Sequence, residues 1–124
     1  MIAVIEDDPA VLNSIAFSLE AEGYDVCGFD RALDALNSRQ TTEADGLVID
    51  YGLGETNGIV VLRTLRGRGQ TCPAVIIVGA PNARCRREAA EAKAPLIEKP
   101  LTADVLSRKL GELLAEKDGK SAGS

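Results

Sequence analysis

The sequence predicts an α/β domain built on a parallel sheet covered by helices on both faces, and three observations carry that prediction. Apolar runs of strand length recur at residues 2–5 (IAVI), 46–49 (GLVI) and 74–78 (AVIIV), and each is continuously apolar rather than alternating. Helical stretches separate them, so β and α alternate from end to end. At 124 residues the chain is long enough for one domain with a real core, and no internal repeat or shift in composition marks a second.

The first strand runs straight into three acids, Glu6, Asp7 and Asp8. A helix is expected from Pro9, because proline suits a first helical turn and acids favour the positive end of the helix dipole. Its buried stripe is Val11, Leu12, Ile15, Ala16 and Leu19, and Gly23 ends it. Phe17 falls on the opposite side, which makes it a candidate for partner docking in a chain with 3% aromatic residues. A second, weaker strand is read at residues 24–29 (YDVCGF), followed by a short helix over 32–38.

After the strand at 46–49 a third helix is expected from about Gly58 to Arg66, and after the strand at 74–78 a fourth from about Asn82 to Ala92. The fourth has mostly alanine at its apolar positions, Ala83, Ala89, Ala90 and Ala92, so it buries little area and is expected to be loosely held. A fifth strand is read at 95–98 (PLIE). A last helix from Thr102 to about Ala115 is expected to bury Val105, Leu106, Leu110 and Leu113, which sets the domain at 1–115. The remainder, 116–124 (EKDGKSAGS), is small and polar and reads as a disordered tail.

Composition narrows the chemistry. The net charge of −5 argues against nucleic acid as a directly contacted partner, and the arginines in RTLRGRG and ARCRREA read as solvated helix faces. The chain has no histidine, hence no imidazole base, ligand or phosphohistidine of its own. Cys27, Cys72 and Cys85 are odd in number and lack metal-type spacing, so they read as reduced structural thiols. No apolar run approaches a membrane span, and the start lacks the pattern of a secretory signal, so a cytoplasmic location without membrane contact is expected.

Open parallel sheets place their ligands beyond the carboxyl ends of the strands. Glu6 and Asp7 follow the first strand, Asp50 ends the third, Val78 and Gly79 end the fourth, and Lys99 follows the fifth. Carboxylates gathered on one rim repel unless something positive joins them. Oxygen ligands without histidine or thiolate suit Mg²⁺, which keeps several waters and takes phosphate oxygens as further ligands. A phosphoryl group is therefore the expected guest, with Lys99 as the compact cation beside it.

At these residues the sequence resembles the receiver domains of two-component response regulators, over about Ile2 to Leu114. The resemblance rests on the acidic set EDD after the first strand, Asp50 with a glycine eight residues on (Gly58), and Lys99-Pro100 after the fifth strand. It implies a flavodoxin-like (βα)5 three-layer sandwich with a five-stranded parallel sheet of order 2-1-3-4-5. It further implies Mg²⁺-dependent transfer of a phosphoryl group to Asp50 from a phosphohistidine, on a sensor histidine kinase or a histidine phosphotransfer domain. By position, Asp7 and Asp50 bind Mg²⁺ directly, Glu6 binds through water, and the Gly52 carbonyl is a further ligand. Asp8 reads as a helix-start residue. Such a domain catalyses its own phosphorylation and dephosphorylation without being a turnover enzyme, and it is compatible with a homodimer.

The match breaks at the family's switch. The hydroxyl position at the end of the fourth strand falls on Val78, with Gly79 next to it, and the aromatic position three before Lys99 falls on Leu96. An atypical switch is expected. Gly52 and Ala80, two beyond the acceptor and two beyond the switch position, neither block nor orient water. The segment from Pro73 to Leu101 looks most like receivers attached to hybrid sensor histidine kinases. The chain is read as free-standing or as a segment of a larger protein, and its start on a strand favours the second. One alternative is a receiver-like docking module that works without phosphorylation. Another, a Mg²⁺-dependent aspartyl phosphatase, usually has a second aspartate two residues after the nucleophile, where this chain has Gly52.

Overall fold

A computed structural model of the chain describes residues 1–101 and 104–123, with side chains through Lys117 in the last helix. The elements alternate as the apolar runs require: β1 (Ile2–Ile5), α1 (Pro9–Ala21), β2 (Val26–Phe29), α2 (Ala32–Leu36), α3 (Arg39–Glu43), β3 (Gly46–Asp50), α4 (Gly58–Gly67), β4 (Ala74–Val78), α5 (Ala83–Glu91), β5 (Leu96–Glu98) and α6 (Val105–Gly123). The strands form one sheet in the order β2-β1-β3-β4-β5, every neighbouring pair parallel.

β1, β3 and β4 are buried along their whole length, which is why their sequences are continuously apolar. Their residues alternate between two cores. Ile2, Val4, Val48, Val75 and Ile77 point to the side that packs Ile15 and Leu19 of α1 and Leu106 and Leu110 of α6. Ala3, Ile5, Leu47, Ile49 and Ile76 point to the other side, against Ala32 and Ala35 of α2, Ile59, Val61, Leu62 and Leu65 of α4, and Ala89 of α5. Three layers result.

Two glycines set local geometry. A Cβ on Gly58 would overlap the Asp50 carbonyl oxygen and lie 2.9 Å from Ile49 Cγ2. Glycine there lets α4 start hard against the end of β3, with the Gly58 amide donating to the Tyr51 carbonyl at 2.8 Å. Gly23 follows α1 at φ +96°, a left-handed conformation that ends the helix as its position in the sequence predicts.

Four expectations are corrected. The helix expected over 32–38 ends at Leu36, and an unforeseen second helix follows at Arg39–Glu43, where Ser38 caps it by accepting from the Gln40 amide at 3.1 Å. In α5 the buried residues are Cys85 and Ala89, one helical turn apart, while Ala83 and Ala90 are exposed. Val105 is 38% exposed, because it lies on the far side of α6 from the face that buries Leu106, Ser107 and Leu110. The helical backbone of α6 runs on to Gly123 instead of ending near Ala115, with no proline to interrupt it. The expected helix start at Thr102 and the final Ser124 lie outside the described residues.

Candidate functional site

The acid run after β1 divides into three roles. Glu6 is fully buried, Asp7 is exposed at the rim, and Asp8 is the N-cap of α1. Asp8 Oδ1 accepts from the amides of Ala10 at 2.9 Å and Val11 at 3.4 Å, so it serves the helix as its position predicts. The Asp8 amide in turn donates to Glu6 Oε1 at 3.2 Å, which fixes the Glu6 carboxylate under the turn.

Asp50 ends β3, 4% exposed. Parallel pairing of β1 with β3 sets Ile5 beside Ile49, and so brings the residues that follow them to the same edge. One oxygen each from Glu6, Asp7 and Asp50 lies within 4.8 Å of the others. The turn after β3 closes over this edge: Gly52 bridges Asn57, Leu53 is buried, and Gly54 at φ +73° lies with its Cβ position 3.6 Å from Asp7 Oδ2.

Lys99 comes from the end of β5, where its amide donates to the Val78 carbonyl at 2.7 Å, and the Lys99-Pro100 peptide is cis. Its ammonium lies 3.1 Å from Glu6 Oε2 and 3.3 Å from Asp50 Oδ1. Burial pushes the Glu6 carboxyl up to about 7, against the pull of Lys99 and the Asp8 amide. Burial also raises the Asp50 carboxyl, with the Asp7 charge adding and Lys99 opposing. For Lys99, burial pulls the ammonium down, but its ion pairs with Glu6 and Asp50 outweigh that and leave it above the ordinary lysine value.

Two of the three clustered carboxylates, Glu6 and Asp50, therefore share one cation. Glu6 Oε2 is buried and, although 3.1 Å from the Lys99 ammonium, accepts no hydrogen bond of good geometry among the described residues. That spare oxygen, with the all-oxygen donor set, fits a hard divalent ion and its waters. Mg²⁺ matches the residues present.

The remaining expected site residues fall where the topology requires. Val78 ends β4, 5% exposed, and Gly79 and Ala80 follow it exposed, so none offers a polar side chain at the edge. Leu96 starts β5 and packs partly buried on the α4/α5 side of the sheet. Phe17 is 77% exposed on α1, the most exposed large apolar side chain among the described residues. The cysteines are free, Cys72 and Cys85 buried and Cys27 partly so.

Tyr51, directly after Asp50, was not singled out by sequence. Its phenol donates to Glu88 Oε1 on α5 at 2.9 Å, a bond across 37 positions that no local pattern reveals. That bond raises the Tyr51 phenol, since ionising it would break the bond and set two negative charges together.

Comparison with known proteins agrees with this geometry. Response regulator MprA of Mycobacterium tuberculosis is 30% identical over 114 residues, covering 91% of this chain and 50% of that protein. The cell cycle transcriptional regulator CtrA of Caulobacter vibrioides is 32% identical over 78 residues, covering 63% of this chain and 34% of that one. The chain thus spans half or less of the length of these relatives. Among solved structures, a CheY-like response regulator receiver domain protein from Methanospirillum hungatei superposes with a TM-score of 0.84 at 23% identity, covering 96% of each chain. The receiver domain of a putative LuxO repressor protein from Vibrio parahaemolyticus gives 0.88 at 17%, over 99% of this chain and 95% of that one. These likenesses establish the fold. The family description that matches, over residues 2–111, is the response regulator receiver domain, and the chain belongs to that family.

Proposed function

We propose that the chain is the phosphoacceptor of a two-component phosphorelay, with Asp50 as the residue that takes the phosphoryl group. The observation that carries this reading is the contact of Asp50 Oδ1 with Lys99 Nζ at 3.3 Å, inside a cluster that also holds Glu6 and Asp7. Asp7 and Asp50 would hold Mg²⁺ directly together with the Gly52 carbonyl, and Glu6 would hold it through water. Bound there, the ion supplies positive charge to the carboxylates and to the phosphoryl oxygens.

The donor is a phosphohistidine on a sensor histidine kinase or a histidine phosphotransfer domain. An Asp50 carboxylate oxygen forms the new bond to phosphorus in line with the breaking P–N bond, and the imidazole leaves with that electron pair and takes up a proton. Lys99, paired with Glu6 and Asp50, neutralises charge on the transferring group. The product is an acyl phosphate on Asp50. Its formation and hydrolysis are the whole of the chemistry, so the domain transmits a signal and turns over no other substrate.

Intact-mass spectrometry with a small phosphodonor tests this. The expected result is one added phosphoryl group that requires Mg²⁺ and disappears in Asp50→Asn. No adduct, or one that persists in Asp50→Asn, would overturn it.

One observation favours a second reading. Val78 and Leu96 stand where a switch hydroxyl and aromatic are expected, and a hydrogen bond to a charged group is worth about 1.5–3 kcal/mol of coupling. A chain lacking both could dock its partner irrespective of phosphorylation. Equal partner affinity for the wild type, with and without phosphodonor, and for Asp50→Asn would favour this second reading.

A further inference from the structure

The polar aromatic group beside this site comes from the strand that carries Asp50 and not from β5. We propose that Tyr51 is a positioning residue that ties α5 to the acidic site, so that its bond to Glu88 passes the state of Asp50 to that helix. The inference rests on the reading of Asp50 as phosphoacceptor.

Tyr51 cannot move independently of its neighbour. Its amide donates to the Ile77 carbonyl of β4 and its carbonyl accepts from the Gly58 amide at the start of α4, both at 2.8 Å. The peptides on either side of Tyr51 are thereby tied to two elements, the first of them shared with Asp50, and a shift of the Asp50 backbone swings the ring. The ring lies partly buried on the same side of the sheet as Leu96 and Ala89, and its phenol reaches Glu88 at 2.9 Å. Arg84 Nε holds Glu88 Oε1 from one turn earlier on α5, at 3.3 Å.

The hold on α5 makes this tie matter. The helix buries only Cys85 and Ala89, small side chains that contribute little apolar area. Its position therefore depends on polar ties to a greater degree than that of α4, which buries Ile59, Val61, Leu62 and Leu65. The Arg63–Glu91 pair, 3.4 Å apart with both side chains more than half exposed, is screened by water. The Glu88 side chain is 15% exposed, so the Tyr51 bond is the shielded one of the two. No side chain at Val78, Gly79, Ala80 or Leu96 can form an equivalent bond.

The test is amide exchange over residues 83–91, with and without Mg²⁺ and beryllofluoride, in wild type, Tyr51→Phe, Glu88→Ala and Glu88→Gln. A rise in melting temperature with beryllofluoride reports binding separately. Wild type is expected to bind and to change its exchange in α5. Tyr51→Phe and Glu88→Ala are expected to bind with the same rise but to exchange alike in both states. Glu88→Gln keeps an acceptor oxygen and is expected to keep the response. A tie with only a structural role would raise exchange in α5 equally in both states and leave the beryllofluoride difference intact. A full response in Tyr51→Phe, or a wild type that binds without any change in α5, would overturn the link and leave the phosphoacceptor reading standing. A wild type that does not bind beryllofluoride at all would overturn both.

Discussion

The ammonium of Lys99 stands between two carboxylates from different strands, 3.1 Å from Glu6 Oε2 and 3.3 Å from Asp50 Oδ1. One cation thus compensates two nearly buried acids, with Asp7 exposed beside them.

Removing that cation leaves the acids unpaired. Lys99→Met is expected to lose labelling by a small phosphodonor and, at neutral pH without metal, to lower stability by about 1–3 kcal/mol, read as a downward shift of the denaturation midpoint. The partial exposure of Lys99, 25% of its side chain, keeps this below the cost of breaking a fully buried pair.

The same crowding gives the metal-free protein a pH dependence of definite sign. Burial raises the Glu6 carboxyl from 4.5 to about 7 and raises that of Asp50 in the same direction. An acid that binds its proton more tightly when folded adds stability that is complete below its unfolded value and is lost as pH rises through its folded value. Thermal melting without metal is therefore expected to weaken between about pH 4.5 and 7, by roughly 1–3 kcal/mol. Glu6→Gln is expected to flatten this slope, and Mg²⁺ to restore stability at pH 7 and above.

Gly58 is expected to tolerate no side chain. Gly58→Ala drives a methyl group into the Asp50 carbonyl and Ile49, backbone and core that cannot easily give way. A loss of about 1–3 kcal/mol is expected in denaturant titration, together with weaker Mg²⁺ binding, because the displaced backbone carries Asp50.

The thiols are expected to divide by burial. Burial pushes the thiols of Cys72 and Cys85 up and hides both, whereas Cys27 is partly exposed with its sulfur 2.9 Å from Gln40 Oε1. Mild alkylation at pH 8 followed by peptide mapping is expected to modify Cys27 first and the other two only on unfolding.

What the sequence revealed and what it hid follow from range. β1, β3 and β4 were legible because a strand buried on both faces is apolar along its run up to the site edge, and Glu6, Asp7, Asp50 and Lys99 because parallel topology puts strand ends on one edge. Asp8 was legible as a cap because capping is local. α3 was missed although Ser38 is an N-cap residue, since a five-residue helix carries too short a pattern to read. Cys85 went unread as the inward residue of α5, because a helix rich in alanine gives a weak hydrophobic stripe. The Tyr51–Glu88 bond had no signal at all, since its partners meet only when α5 folds back on the sheet.

Calorimetric titration of Mg²⁺ at pH 7 into wild type and Asp7→Asn tests most directly whether the clustered acids form a seat for a divalent ion. Weak binding at one site in the wild type, lost or strongly reduced in Asp7→Asn with the fold intact, is the expected result. No binding by the wild type, or undiminished binding by Asp7→Asn, would contradict it.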